Sequence, residues 1–425
     1  MAVLRSWSPF LIAIALAIVL QLLVRPLVGP FYAKLLLDMG TNMILAVSLT
    51  LVNGFTGQFS MGHAAFMLVG AYAAAFVVYY GSMLGFGDAN MAGGLFSSMR
   101  ERDAFPALFT WGDLLFVSSL IVGGLIAAGA GYVVGLPSLR LKGDYLAIVT
   151  LGFGEIMRVV VQALLNEDVL YTAQEVKETP FYKLPLHVGG SLGFSGLPLY
   201  TSLFWVFAVA GITIAIAIRL KNSTFGRAFL SIREDEIASE AMGVNTTRYK
   251  VRAFVIGAFF AGVAGGLFAH TSGVQLNPGE LGFMKSFDII IMVVLGGLGS
   301  ISGAAIAAVI LTILPEWLRD PGHVWYFGVV AAIVFGLIAK RKARAIAIMA
   351  GVTIALEGLR WLAKSNDIDL GRYRMVLYAL MLILMMLLRP KGLLGVREIW
   401  DAALWRDIAW PWKKSVSDSG KGGKP

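Results

Sequence analysis

The chain is a succession of long apolar runs separated by short polar stretches, and the length of those runs dictates the first reading. A helix rises about 1.5 Å per residue and the hydrocarbon core of a bilayer is about 30 Å thick, so about 20 consecutive apolar residues make a candidate span. Clear runs cover 9–28, 33–53, 60–80, 113–136, 144–166, 200–219, 251–271, 324–339, 344–363 and 375–389. The pattern predicts an all-α fold, a polytopic transmembrane helix bundle of roughly 10–12 spans. The run 286–318 is too long for one span, and Gly296, Gly297, Gly299 and Gly303 interrupt it, which predicts two short helices around a glycine turn. The first run, Pro9 to Val24, is long for a signal-peptide core and lacks a small-residue cleavage site, so it is expected to persist as a helix.

Basic residues orient the bundle, because Lys and Arg near span ends are retained in the cytoplasm. Arg140 with Lys142, Arg219 with Lys221 and Arg227, Lys340 to Arg344, and Arg389 with Lys391 all fall on one side if 286–318 crosses twice. A single crossing would place Lys340, Arg341, Lys342 and Arg344 outside. Two crossings are therefore expected, with the loops 81–111 and 167–198 outside and the segment 221–250 in the cytoplasm. A weak internal repeat accompanies the glycine turn: Gly54, Gly57 and Ser60 recur in spacing as Gly296, Gly299 and Ser302, each set followed by an alanine pair. Such repeats with broken helices are common in transporters; the count makes this pair parallel. The Gly54–Ser60 and Gly296–Ser302 stretches are candidate pathway-lining segments, since a broken helix exposes backbone groups to a polar solute.

Composition fits the same picture: 58% of the 425 residues are hydrophobic and 14% charged, with a mean hydropathy of +0.76. Soluble domains carry far less apolar and more charged sequence. The net charge of +9 is distributed in short clusters between apolar runs, which argues against nucleic acid and for a lipid bilayer as the partner. The absence of cysteine excludes disulfides, thiolate metal sites and cysteine nucleophiles.

The segment Asn222 to Lys250 is the most polar sizeable stretch on the expected cytoplasmic side. Its pattern predicts a surface helix capped by Asn222, Ser223 or Thr224, with Phe229, Ile232 and Ile237 as an apolar edge and a stop at Gly243 or Asn245. As one helix its charges are reversed, with Arg227 in the first turn and Glu240 near the last, against the macrodipole. Glu236 and Glu240 also repel at i, i+4. A solvated loop helix and a helix docked on a partner of complementary charge both fit this spacing.

The run Gly226, Arg227, Ala228 followed by IREDEIASEAMGVN resembles the coupling segment of ABC importer permeases. Glu240, Ala241 and Gly243 match its E-A-A-x-x-x-G core imperfectly. Three further stretches are similar to one branch of that family, the LivM-type permeases of branched-chain amino-acid importers: GFTGQFSMGHAAFMLVGAYAAA, LKGDYLAIVTLGFGEIMRVV and LLRPKGLLG. The resemblance covers about 41–320 and 375–395. It implies a permease domain over 1–320 with coupling segment 222–250, a last span within 371–395, and a tail 396–425 whose Trp400, Trp405, Trp410 and Trp412 suit a membrane surface. The apolar hairpin within 321–370 departs from the family pattern.

By the same resemblance, Gly226, Arg227, Arg233, Glu234, Asp235, Glu240, Ala241, Gly243 and Asn245 would couple the chain to separate ATPase subunits. A second, related permease and an extracytoplasmic binding protein would be further partners, in a bacterial-type plasma membrane. The chain itself holds no G-x-x-x-x-G-K-[ST] phosphate loop, so it is not expected to hydrolyse ATP or to need a cofactor. Branched-chain amino acids are the first expectation for the solute, and urea or short amides are open in the same superfamily.

Charges within the spans cost about 2.5–3.5 kcal/mol each at mid-bilayer. Glu155 and Arg158, three apart on one face, are expected to pair, with pathway lining by Glu155 as the alternative. Asp288 beside Lys285 is read as an interfacial ion pair, and His63 and His270 as hydrogen-bonding residues. An ion-driven transporter would need a buried carboxylate such as Glu155. An intramembrane enzyme would need a catalytic constellation, and the sequence offers no H-E-x-x-H and no convincing Ser–His pairing.

Overall fold

The computed structural model describes residues 2–89, 91–99, 107–139, 144–271, 275–319, 379, 383 and 392–399. The expected spans 324–339, 344–363 and 375–389, the hairpin they form and most of the tail lie outside the described residues. Within them the chain is helical: α1 Ala2–Val19, α2 Pro30–Leu49, α3 His63–Phe86, α4 Trp111–Ser138, α5 Asp144–Leu164, α6 Ala173–Glu178, α7 Leu203–Asn222, α8 Thr224–Glu234, α9 Glu236–Ala241, α10 Thr246–Ala269, α11 Phe283–Gly296 and α12 Ile301–Arg319. Among the described residues six helices are long and apolar enough to cross a membrane, with shorter apolar segments at Phe10–Val24 and Ile301–Glu316.

Local chemistry sets the helix ends. Pro30 opens α2 after the extended Gly29, where a missing N–H costs nothing. Thr110 and Asp113 form a reciprocal capping box at the start of α4. A π-helical turn, Thr50–Gly54, extends α2 to its glycine break. The predicted break of 286–318 is present: α11 stops at Gly296, the chain turns through 297–300, and α12 returns. Two antiparallel helices thus replace one long one, as expected. At 14 residues α11 spans about 20 Å, so the loop before it supplies the rest of that crossing.

The core is the triplet α3, α4 and α10, which make the most extensive contacts in the bundle. Beyond the basic first turns of α10 these helices show no marked apolar face, so identity of face cannot steer them; small residues do. A Cβ at Gly70 would overlap the backbone of Gly262, and one at Gly265 would overlap the carbonyl of Met67. Such close approach lets dispersion contacts accumulate between helices that lipid would otherwise solvate equally well. A second group, α2, α7, α11 and α12, packs beside the triplet with α1 against α7. Helix α5 is peripheral and exposes Tyr145, Ile148, Ile156 and Val159.

The chain alternates between two ends. One carries α8 and α9, the breaks after Gly54 and Gly296, and the starts of α10 and α12, while α3 starts deeper, Ala64 N–H donating to Ser286 Oγ at 3.3 Å. The other carries the described loop residues 87–89, 91–99, 107–110, 165–202, 270–271 and 275–282; the Leu276 carbonyl accepts from Tyr72 of α3 at 2.8 Å, and Leu276 forms an isolated bridge with Phe194. His63 bonds Ser48 Oγ at 2.7 Å, and His270 bonds the Pro198 carbonyl at 2.8 Å, the hydrogen-bonding roles expected of them.

Candidate functional site

The segment 222–250 is two helices, which corrects the single helix expected from its pattern. Ser223 caps α8, its Oγ accepting from Gly226 N–H at 3.2 Å. The backbone of Asp235 is extended, and its carboxylate accepts from Ala238 N–H at 3.0 Å to start α9. Gly243 takes the left-handed turn at φ +86°, and Asn245, rather than stopping a helix, caps α10. The break places Arg233 in the last turn of α8 and Glu236 in the first turn of α9, both favourable, while Arg227 in the first turn of α8 and Glu240 in the last turn of α9 stay against the macrodipole. Glu236 is further compensated by Lys250 at 2.6 Å.

The break also splits the expected apolar edge. Phe229 and Ile232 are buried against the bundle, whereas Ile237 is 75% exposed and Met242 85%. With the exposed Arg227, Glu240 and Ala241 they form an outward face of mixed apolar and charged character. A cleft of about 770 Å³ runs beside it, lined by Glu240, Gly243, Asn245, Arg248 and Arg252.

Arg233 points the other way. Its Nη1 donates to the Gly54 carbonyl at 3.0 Å and its Nη2 pairs with Glu234 at 2.6 Å. A Cβ on Gly299 would stand 2.6 Å from Arg233 Nη1, and one on Gly57 would stand 3.0 Å from its Cγ. The guanidinium therefore fills the space where the two glycine breaks meet. The breaks touch each other as well: a Cβ on Gly54 would lie 2.7 Å from Gly299 N. Gly54, Gly57, Gly296 and Gly299, singled out by spacing alone, are thus gathered at one end with Ser302, and the two repeats run the same way.

A residue that the pattern did not single out secures the second break. Glu398 is buried, and its carboxylate accepts from Lys221 Nζ at 2.6 Å, Ser302 Oγ at 2.6 Å, Ser302 N–H at 2.9 Å and Ile301 N–H at 3.1 Å. It caps the N-terminus of α12, where exposed N–H groups and the helix dipole favour an anion. Burial pushes the Glu398 carboxyl up, but the Lys221 and Ser302 bonds and the Ile301 N–H outweigh it and hold the group below the ordinary carboxylate value. Just before it, Leu393 N–H donates to the Leu295 carbonyl at 2.7 Å and Leu394 N–H to that of Gly296 at 3.2 Å. Lys221 completes the junction by donating to the Gly299 carbonyl at 3.1 Å while lying 5.7 Å from the Phe55 ring centroid. The sequence signal was the LLRPKGLLG stretch, whose last glycine is three residues before Glu398.

The first break is less complete. Asn53 Oδ1 accepts from Ser60 N–H at 3.2 Å, but Gln58 Oε1 and Ser60 Oγ are buried with no hydrogen-bond partner. Glu155 is not part of the junction. It pairs with Arg158 at 2.7 Å, as expected, and its other oxygen accepts from Phe283 N–H at 3.1 Å, bracing α5 against the start of α11. The ion pair expected between Lys285 and Asp288 is replaced by a bond from Lys285 Nζ to Asn42 Oδ1 at 3.0 Å.

Residues 31–386 match a family described as the branched-chain amino acid transport system permease component. The chain is 36% identical over 296 residues to the high-affinity branched-chain amino acid transport system permease protein LivM of Escherichia coli K12, a match covering 65% of this chain and 61% of that protein. It is 34% identical over 295 residues to LivM of Salmonella typhimurium, with the same coverage. The E. coli permease protein LivH is also similar, at 27% over 277 residues, covering 64% of this chain and 80% of that protein. No solved structure matches the chain.

Proposed function

Since the chain belongs to the family of branched-chain amino acid transport system permease components, we propose that it is the membrane-spanning permease subunit of an ATP-driven importer of branched-chain amino acids. Separate ATPase subunits dock on the α8–α9 face in the cytoplasm of a bacterial-type cell, the tail lies on that same side, and the loops at the far end receive the solute from an extracytoplasmic binding protein. A second permease completes the pathway; similarity to both LivM and LivH proteins supports a pair of related subunits.

The observation that carries this reading is Arg233. It sits on the helix that ends beside the exposed face, yet its guanidinium is bonded inward to Gly54 and packs on Gly299. A displacement of α8 by a docked ATPase is therefore delivered to both helix breaks with no intervening residue. Interfaces of this kind anchor on large apolar side chains surrounded by charge, which suits Ile237 and Met242.

The experiment separates docking from coupling. Ile237→Glu and Met242→Glu should abolish co-purification of the ATPase subunits, whereas Arg233→Gln should leave co-purification intact and sever ATP hydrolysis from leucine uptake in proteoliposomes. Uptake by the purified chain without any ATPase would overturn the proposal in favour of an ion-driven transporter, and uptake of urea in place of leucine would revise the solute.

A further inference from the structure

Helices α2, α11 and α12 enclose a cavity of about 450 Å³ well away from the glycine junction. By helical rise, Asn42 and Lys285 lie about 16–18 Å along their helices from Gly54 and Gly296. Each helix contributes a polar pair at helical spacing: Asp38 and Asn42 from α2, Lys285 and Asp288 from α11, Thr312 and Glu316 from α12. Leu35, Met292 and Leu311 supply an aliphatic wall. The volume falls within the range of small-molecule sites, and the lining is richer in polar and charged groups than most.

The polar groups are arranged, not scattered. Lys285 Nζ donates to Asn42 Oδ1 at 3.0 Å, Asn42 Nδ2 donates to Thr312 Oγ1 at 2.9 Å, and Thr312 Oγ1 donates to the Ala308 carbonyl at 2.7 Å. Each group in this relay donates to the next, so the ammonium is held in place from across three helices. An ammonium carries three donors, and the relay uses one. Asp38 and Asp288 face the same space without closing an ion pair on Lys285.

We propose that this cavity binds an α-amino acid as its zwitterion, the solute carboxylate on Lys285, its ammonium among Asp38, Asp288 and Glu316, and its aliphatic side chain against Leu35, Met292 and Leu311. A lone cation would leave Lys285 unanswered, and a lone anion would meet four carboxylates, Asp38, Glu280, Asp288 and Glu316. A neutral amide would leave both signs of charge unmatched in a poorly solvated site. Only a solute bearing both charges close together and an apolar remainder satisfies the whole lining. The inference rests on the permease reading and adds to it a location and a recognition chemistry, distinct from the glycine junction.

Three probes dissect it: L-leucine, L-leucinamide, which lacks the carboxylate, and 4-methylpentanoate, which lacks the ammonium. Binding to the full chain in nanodiscs is measured for the native protein, Lys285→Gln and Asp288→Asn. Lys285→Gln should weaken leucine by about tenfold or more, the worth of one charge-assisted hydrogen bond, and leave leucinamide unchanged. Asp288→Asn should weaken leucine and leucinamide and leave 4-methylpentanoate unchanged. The unaffected probe in each case reports that the variant is folded. Leucine affinity that ignores both substitutions, or no leucine binding by the native chain, overturns the site. ATP-driven leucine uptake by the assembled complex, measured in parallel, keeps the two claims apart: uptake without binding in this cavity removes the site alone, and absence of uptake with Lys285-dependent binding removes the permease reading alone.

Discussion

The two glycine breaks share a plan and differ in how they are held. Each follows a helix that ends on the first glycine, Gly54 or Gly296, and each places the second glycine in the left-handed region, Gly57 at φ +70° and Gly299 at φ +99°. After Gly296 the chain turns through four residues into α12, and Glu398 meets the polar groups of that turn. After Gly54 eight residues intervene before α3; among the described residues no carboxylate caps them, and two buried polar atoms lack partners. The second break is an anchor fastened by the tail, and the first is the looser one, gripped from outside by Arg233 of α8. On the proposed coupling the difference has a use: a displacement of Arg233 reaches both breaks, and the second, held by Glu398, yields less than the first.

The sharpest way to break this asymmetry is to remove the anchor. Glu398→Gln keeps the shape but takes a buried charge from Lys221 and the α12 N-terminus, and breaking a buried pair of this kind costs about 3 kcal/mol or more. The thermal unfolding midpoint of the full chain in detergent should fall accordingly, and Lys221→Gln should give a loss that is not additive with it. The sign with pH follows from the lowered carboxyl. A group whose folded value lies below its unfolded one stabilises fully above the unfolded value, ordinarily 4.5, and loses that contribution as the pH falls through the folded value. The gap between native protein and Glu398→Gln should therefore be flat near neutrality and close below about pH 4.5.

A smaller effect is expected where the breaks touch. The Cβ of Gly54→Ala would meet Gly299 N at 2.7 Å, a backbone atom that cannot swing aside, and Thr50 Cγ2 at 2.9 Å. Forced overpacking of this order costs about 2–3 kcal/mol and should push the breaks apart, reducing uptake as well as stability. Gly152→Ala on α5, where nothing lies within 4 Å, is the matched control; it should be neutral or gain up to about 1 kcal/mol from helix propensity. Equal losses from the two would show that contact between the breaks carries no special weight.

Much of this was legible in the sequence because it depends on period and on residue type. The length of apolar runs located the helices, the glycines marked both breaks, and the three-residue spacing of Glu155 and Arg158 foretold their pair. What the pattern misread is where one backbone conformation changes the meaning of neighbouring charges. An extended Asp235 turns one helix into two and sets Arg233 and Glu236 at the helix ends that favour their charges, and no periodicity announces it because Asp caps helices and also sits within them. Glu398 and the Lys285–Asn42 bond were missed for a different reason. Their partners are 177 and 243 residues away in the chain, so nothing local to either residue distinguishes it.

The finest test compares the two serines that occupy equivalent places in the repeat. Ser302 Oγ donates to Glu398 at 2.6 Å and accepts from Ile399 N–H at 3.1 Å, so Ser302→Ala should cost about 1.5 kcal/mol, the worth of a hydrogen bond to a charged group. Ser60 Oγ is buried without a partner, and removing an unsatisfied hydroxyl relieves a desolvation penalty. Ser60→Ala should thus leave the unfolding midpoint unchanged or raise it. If the proposed motion of the first break gives this hydroxyl a partner, Ser60→Ala should slow ATP-driven leucine uptake while the folded chain is no less stable. Loss of stability in Ser60→Ala, with uptake unaffected, would mean that both breaks are static anchors and that the motion lies elsewhere in the bundle.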